Sequence, residues 1–247
     1  MYQVWHRNFR VWLKHIQASL IGNLGQPFLF LLAMGYGLGR SVPEIEGLTY
    51  LQFIAPGLVA SSVMYGAAFE ATYGSYTRLS TQGTFEAILM TPISVQELAM
   101  GEILWGATKG LIGGIIMLVT LPLFGVTPSI WSAALIPVLF AEGIIFSALG
   151  LIMTAVATNY DFFNYFTSLV ITPLFLFSGI FFSLKAIGDP LRQFLYFLPL
   201  SSVVELSRTF CYGRLDWNIG LELLNVSFFS ISCTVIAIFL LKRRLIQ

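Results

Sequence analysis

Four ionisable side chains, Glu70, Glu102, Lys109 and Glu142, lie inside or beside long apolar runs of this 247-residue chain. An ionisable group in such a run needs a partner, a wet cavity or a neutral form, and is by default a functional hypothesis. Glu70, Glu102 and Lys109 fall at similar depth near one end of two successive runs. Lys109 lies about 9 Å into its run at ~1.5 Å per helical residue, so its stem can also reach back to the water interface. Two readings stand. Glu70 and Lys109 form an ion pair that ties the runs together at a gate, or the lysine snorkels alone. Glu142 falls mid-run, where it either touches a transported substrate or holds a buried hydrogen bond. Aromatic rings stack on sugars and tolerate acyl chains. Phe146 and Phe177 are therefore candidates to line a path with Glu142, although ordinary apolar packing explains them equally well.

Other chemistries find no support. Gly101-x4-Gly106 continues into Ala107-Thr108 and lacks the lysine that reaches nucleotide phosphates, so the chain is expected not to hydrolyse nucleotide itself. His6 and His15 sit near the N-terminus, away from any apolar run, and no catalytic residue is assigned. Cys211 and Cys233 are the only cysteines and cannot build a zinc site alone, so no metal site is expected. A net charge of +1 argues against nucleic acid as a partner.

The elements that position these residues follow from composition. Only 10% of residues are charged and 57% are hydrophobic, against about 25% charged in a soluble domain. The apolar surface must face lipid. A bilayer core about 30 Å thick needs roughly 20 apolar residues in helix. Six stretches qualify: Leu20–Gly39, Leu51–Glu70, Ile103–Gly125, Ala133–Ala157, Phe163–Phe182 and Gly220–Leu241. The sequence thus predicts a single all-α membrane domain over residues 1–247 with six transmembrane helices. Both termini then share a side. Seven basic residues (Arg7, Arg10, Lys14, Arg78, Lys242, Arg243, Arg244) lie on it, against five (Arg40, Lys185, Arg192, Arg208, Arg214) opposite, which makes it the cytoplasmic side.

Three segments lie outside the spans. In residues 1–19, Trp5, Phe9, Trp12, Leu13 and Ile16 recur at helical spacing opposite Arg7, Arg10, Lys14 and Gln17, which predicts an interfacial amphipathic helix. Residues 71–102 join the second and third spans on the cytoplasmic side. There Phe85, Ile88 and Leu89 share one side of a short helix that stops at Thr91-Pro92. Spacing does not decide between a helix that docks on a cytoplasmic partner and a plain connecting loop. Residues 183–219 form the longest outer connection, yet Phe194–Leu200 is apolar throughout. A pair of short re-entrant helices broken at Pro199, or a small extracellular cap, would bury it.

Several motifs in order resemble the type 2 ABC-exporter permeases. They are Ile171-Thr172-Pro173-Leu174-Phe175-Leu176-Phe177-Ser178-Gly179-Ile180-Phe181-Phe182, Phe197-Leu198-Pro199-Leu200, and Phe85-Glu86-Ala87-Ile88-Leu89-x-Thr91-x3-Val95. Gly35-Tyr36-Gly37-Leu38-Gly39-Arg40, Gly101-Glu102-x2-Trp105-x2-Thr108-Lys109, Tyr160-Asp161-x-Phe163 and Lys242-Arg243-Arg244-Leu245 are similar to the permeases of rhizobial nodulation lipo-oligosaccharide exporters within that group. The resemblance covers nearly the whole chain. It implies a bacterial inner-membrane subunit that pairs with a second copy and binds two separate ATPase subunits, which carry the ATP and Mg. This chain would hold no cofactor. The resemblance also makes Thr84, Phe85, Glu86, Leu89, Thr91 and Pro92 the coupling helix seated on the ATPase, and it implies an amphiphilic substrate such as a lipid-linked saccharide. Nothing in it extends to Glu142.

Gly106, Gly110 and Gly114 give two small-xxx-small steps along the third span, which predicts close helix packing. Two other classes remain open. A stand-alone secondary transporter would use Glu142 and the Thr172-Pro173 break at mid-membrane. An intramembrane enzyme would need a polar cluster near one leaflet, and the sequence offers none.

Overall fold

The computed structural model describes residues 1–14, 16, 25, 27–39, 41–213 and 218–246, with Tyr36 described by its backbone alone. Among these residues the structure is all helical, without a strand. The helices are α1 (Tyr2–Leu13), α2 (Leu31–Leu38), α3 (Tyr50–Thr81), α4 (Thr84–Leu89), α5 (Val95–Phe124), α6 (Ile130–Val156), α7 (Phe162–Phe177), α8 (Leu191–Phe197), α9 (Pro199–Tyr212) and α10 (Ile219–Ile246).

Four of these, α3, α5, α6 and α10, are long and apolar enough to cross a membrane. They correspond to the second, third, fourth and sixth predicted spans. The fifth, α7, is a shorter apolar helix that ends at Phe177, where the sequence predicted a span to Phe182; Ser178 leaves the helix and Gly179 turns the chain at φ +81°. In the first predicted span, residues 20–24 and 26 lie outside the described residues, as do Arg40 and Arg214. Residues 27–38 of that stretch are helical and widen to π-type turns in α2.

The largest difference from the sequence reading concerns residues 71–102. Most of them extend the two flanking helices. No Gly-Pro stop follows Glu70, so α3 runs on to Thr81 through two π-type turns, Glu70–Gly74 and Thr77–Thr81. The actual break is Gly83, in the left-handed conformation at φ +59°. The next helix starts at Val95, because Ser94 and Glu97 form a reciprocal capping box. Glu102 is therefore two turns inside α5.

The bundle packs around α3, which is buried on nearly every side, whereas α10 turns most of its surface outward. Small residues let the backbones meet. A Cβ on Gly110 would stand 2.7 Å from the Val63 carbonyl oxygen in α3, and one on Gly143 in α6 would stand 2.8 Å from Ala107 Cα. Gly106 faces Ser147, and Gly114 faces Val63 and Leu139. Gly110→Leu is thus expected to force α3 and α5 apart at a cost of about 1–3 kcal/mol. A lowered unfolding temperature of the detergent-solubilised chain, with unchanged helical content before melting, is the measurement.

The two ends of the bundle are finished differently. At the end that carries α1 and α4, Arg244 of α10 donates from Nη1 to the carbonyls of Thr154 (3.2 Å), Ala155 (3.0 Å) and Ala157, capping α6 with a cation. At the far end, Arg208 of α9 is buried and gathers three segments. Nε donates to Phe53 O at 3.1 Å, Nη2 donates to Gly179 O and Ile180 O, and the guanidinium lies 3.7 Å from the Phe53 ring centroid. Glu46 there accepts from Ser183 (2.5 Å) and Lys185 (3.1 Å). Burial raises the Glu46 pKa, but these two donors outweigh it and hold the carboxyl below its ordinary value.

Candidate functional site

The site is built on α1, α3, α4 and α5 at the end opposite Arg208. Val4, Asn8 and Trp12 recur every four residues along α1 and are the residues it buries. That face is rotated from the predicted one: Asn8 is at its centre and Leu13 is largely exposed. The helix docks on α5. Trp5 Nε1 donates to Thr108 Oγ1 at 3.0 Å, and Trp12 meets Trp105 edge to face at 6.0 Å between centroids.

Between these helices lies a buried charge network. Lys109 Nζ stands 2.6 Å from Glu70 Oε2. Glu70 Oε1 accepts from Arg78 Nη1 at 2.8 Å and from Trp105 Nε1 at 2.9 Å. Arg78 also donates from Nη2 to Glu102 Oε2 at 2.7 Å and from Nε to the same oxygen at 3.0 Å. Glu102 accepts further from Ser75 (2.8 Å, Oε2) and from Asn8 Nδ2 (2.7 Å, Oε1). Arg7 donates to Asn8 Oδ1 at 3.0 Å and to Thr84 Oγ1 at 3.4 Å, which brings the first residue of α4 into the chain of bonds.

Two carboxylates face two cations at the centre, so the cluster is neutral, and all four carboxylate oxygens accept at least one bond. Such satisfaction is what makes a buried ionic cluster tolerable. Burial, then the Arg78 charge, lower the Arg7 pKa, while Glu102 opposes them.

The local sequence explains the geometry. Glu70 and Arg78 are eight residues apart with Gly74 midway, and a Cβ there would stand 2.7 Å from Glu70 Oε1. Glycine leaves the space that the carboxylate fills. Asn8 and Ser75 carried no expectation, Trp105 entered only within the resemblance motif, and Arg78 was counted only among the basic residues of the cytoplasmic side. Arg78 was legible once α3 is seen to continue; Asn8 had only its place among Val4 and Trp12 as a signal.

The six residues expected to couple to an ATPase divide by orientation. Phe85 is fully buried, packed in the same apolar core as Leu98 and Ile103, so it anchors α4 to the bundle and presents no surface of its own. Glu86, Thr91 and Pro92 are exposed, and Thr84 and Leu89 are half-buried. Met90, which the sequence reading passed over, is 88% exposed just beyond the helix. A cavity of about 640 Å³ separates α1 from α4, lined by Gln3, Val4 and Arg7 on one wall and Ile88, Thr91 and Pro92 on the other.

The residues expected to line a substrate path do not converge. Glu142 and Phe146 sit one turn apart within α6, both fully buried, while Phe177 is half-exposed at the end of α7. Neither Glu142 oxygen has a hydrogen-bond partner among the described residues, so the buried hydrogen bond weighed for it is not formed.

Comparisons with known proteins agree with a transport architecture. Residues 1–212 match the family model described as ABC-2 type transporter. The chain is 34% identical over 246 residues to "Nodulation protein J" of Rhizobium leguminosarum bv. viciae, covering 99% of this chain and 94% of the relative. It is 33% identical over 246 residues to the protein of the same name from Sinorhizobium fredii, with 99% and 93% covered. To "Inner membrane transport permease YadH" of Escherichia coli it is 28% identical over 214 residues, 86% of this chain and 80% of the relative. With four membrane-length apolar helices and a match over most of its length, this chain belongs to the ABC-2 type transporter family of multi-pass membrane permeases.

Proposed function

We propose that this chain is the membrane-spanning subunit of an ATP-driven exporter in the bacterial inner membrane. Two copies enclose the path, each crosses the bilayer six times with both termini in the cytoplasm, and α8 and α9 re-enter the outer leaflet. Two separate ATPase subunits bind ATP and Mg and seat themselves on the α4 region. The cargo is an amphiphile, a lipid-linked oligosaccharide or polysaccharide foremost, taken from the cytoplasm or the inner leaflet. A drug or other small amphiphile is the alternative cargo within the same family.

One observation carries this reading. The short helix, with an exposed acidic residue and followed by the exposed Met90, is bonded through Thr84 and Arg7 to a neutral, fully satisfied charge cluster. A push on α4 therefore reaches α1, α3 and α5 together, because breaking the cluster would leave buried charges unpaired. Phe85 fixes α4 to that assembly, while Glu86, Leu89, Met90, Thr91 and Pro92 meet the ATPase. Glu70, Glu102 and Lys109, joined by Arg78, form the cytoplasmic gate that moves as one body. Glu142 and Phe146 are buried inside one copy and join the path only when α6 repacks as the two copies separate. The unpartnered Glu142 carboxyl also favours a second reading, a secondary transporter that works without an ATPase.

Glu86→Lys separates the two. Glu86 is exposed, so the variant is expected to insert and fold normally. Charge reversal at a docking contact is expected to weaken co-purification of the ATPase by roughly tenfold or more, with proportional loss of ATP-dependent export from vesicles. Unchanged recruitment together with unchanged export would remove α4 from the interface, and export without added ATP would favour the secondary transporter.

A further inference from the structure

The cavity of about 640 Å³ between α1 and α4 holds one uncompensated charge. Among the described residues Arg7 is the only charged side chain that lines it, and Val4, Ala87, Ile88, Pro92 and Ile93 make most of the remaining wall apolar. Ala87, Thr91 and Pro92 are exposed, so the space opens at the surface beside α4. No ion pair among the described residues includes Arg7, whose guanidinium donates to the neutral Asn8 and Thr84 at 3.0 and 3.4 Å. Glu70 and Glu102 are committed elsewhere, since each of their oxygens already accepts a bond. Burial and then the Arg78 charge work against the Arg7 cation, and Glu102 offsets only part of that. Arg10 and Lys14, both exposed, carry positive charge along the same stripe of α1 and are likewise without an ion pair among the described residues.

From this juxtaposition we infer that the cavity receives an acidic side chain of the ATPase subunit, an aspartate or glutamate carried on a short apolar segment. The inference rests on the exporter reading and deepens it. A bare anion would use Arg7 and leave the apolar walls wet, whereas a wholly apolar segment would bury Arg7 without a counter-charge. One wall of the cavity is α4, the helix on which the ATPase is proposed to sit. Arg7 in the cavity and the exposed Glu86 on α4 then give that face two charges of opposite sign. A partner with an acid and a base to match them is held in one orientation. The volume lies within the roughly 300–1,000 Å³ of ordinary ligand sites. The bond to Thr84, at 3.4 Å the longer of the two that Arg7 makes, is the one an incoming carboxylate displaces. Asn8 stays between Arg7 and Glu102, so an occupant of the cavity is bonded onward to the charge cluster.

The test uses the full chain purified from solubilised membranes together with its ATPase, the partner being identified by mass spectrometry from its phosphate-binding loop sequence. Arg7→Lys keeps the charge and supplies an amine, which a zero-length carbodiimide joins to any carboxylate in contact with it. A cross-link from position 7 to an aspartate or glutamate of the ATPase is expected. Arg7→Gln is expected to lower retention of the ATPase by roughly tenfold and to leave what remains less sensitive to salt than the parent complex. Ala87→Trp, at an exposed position, fills the cavity and is expected to lower retention to a similar extent. An ATPase that stays bound in all three variants with no cross-link to position 7 would overturn the inference. So would a cross-link from position 7 to a second copy of this chain. If the ATPase also survives Glu86→Lys, the placing of the ATPase on α4 falls as well. If Glu86→Lys alone releases it, α4 docks the ATPase and only the cavity assignment is lost.

Discussion

Replacing Arg78 by methionine is expected to destabilise the protein by about 3–5 kcal/mol, the usual cost of stripping one partner from a buried ion pair. Arg78 lies between two carboxylates, with Glu70 at 2.8 Å and Glu102 at 2.7 Å. Glu70 would retain Lys109, but Glu102, whose side chain is wholly buried, would keep only the neutral donors Asn8 and Ser75. The measurement is thermal or denaturant unfolding of the solubilised chain. Adding Glu102→Gln to the methionine variant is expected to recover about half of the loss, since the stranded charge is then gone. A single variant as stable as the parent would mean that the cluster is wetter than its burial implies.

The second large effect concerns Phe85. Truncation to alanine empties a fully buried aromatic site, so Phe85→Ala is expected to cost about 3–5 kcal/mol if the bundle does not collapse around the gap. Because Phe85 holds α4 against α5, the short helix is expected to come loose before the spans do. Its backbone amides should then exchange hydrogen much faster than those of α5, by hydrogen-exchange mass spectrometry. Glu86→Lys should leave that exchange unchanged. The pair of variants therefore distinguishes loss of the anchor from loss of the proposed docking surface.

Much of this was legible in the sequence, for physical reasons that differ by element. Scarcity of charge placed the chain in lipid, and four long apolar runs became four long helices with boundaries within a few residues at one end. The Glu70–Lys109 approach was legible because two charges at equal depth on neighbouring apolar helices have few other partners. The reach of α3 was not read. Residues 71–102 were read as a connection outside the spans, whereas Arg78 finds its partners inside the bundle and lets α3 continue. Ser94-x-x-Glu97 did carry the start of α5 in plain form. The orientation of Phe85 was beyond reach, because helical spacing gives a shared face but not whether that face looks inward or outward. Asn8 was hidden for the same reason: an amide on a face crowded with tryptophans looks incidental until Glu102 appears opposite it.

The continuity of α3 has one more consequence. Thirty-two residues in a single helix span about 48 Å at ~1.5 Å per residue, well beyond the ~30 Å of hydrocarbon in a bilayer. The central post of the bundle must therefore lean steeply or stand clear of the membrane like a mast, with Arg78 near its projecting tip. That end is thus joined to the rest of the post by one continuous helix rather than by a slack tether.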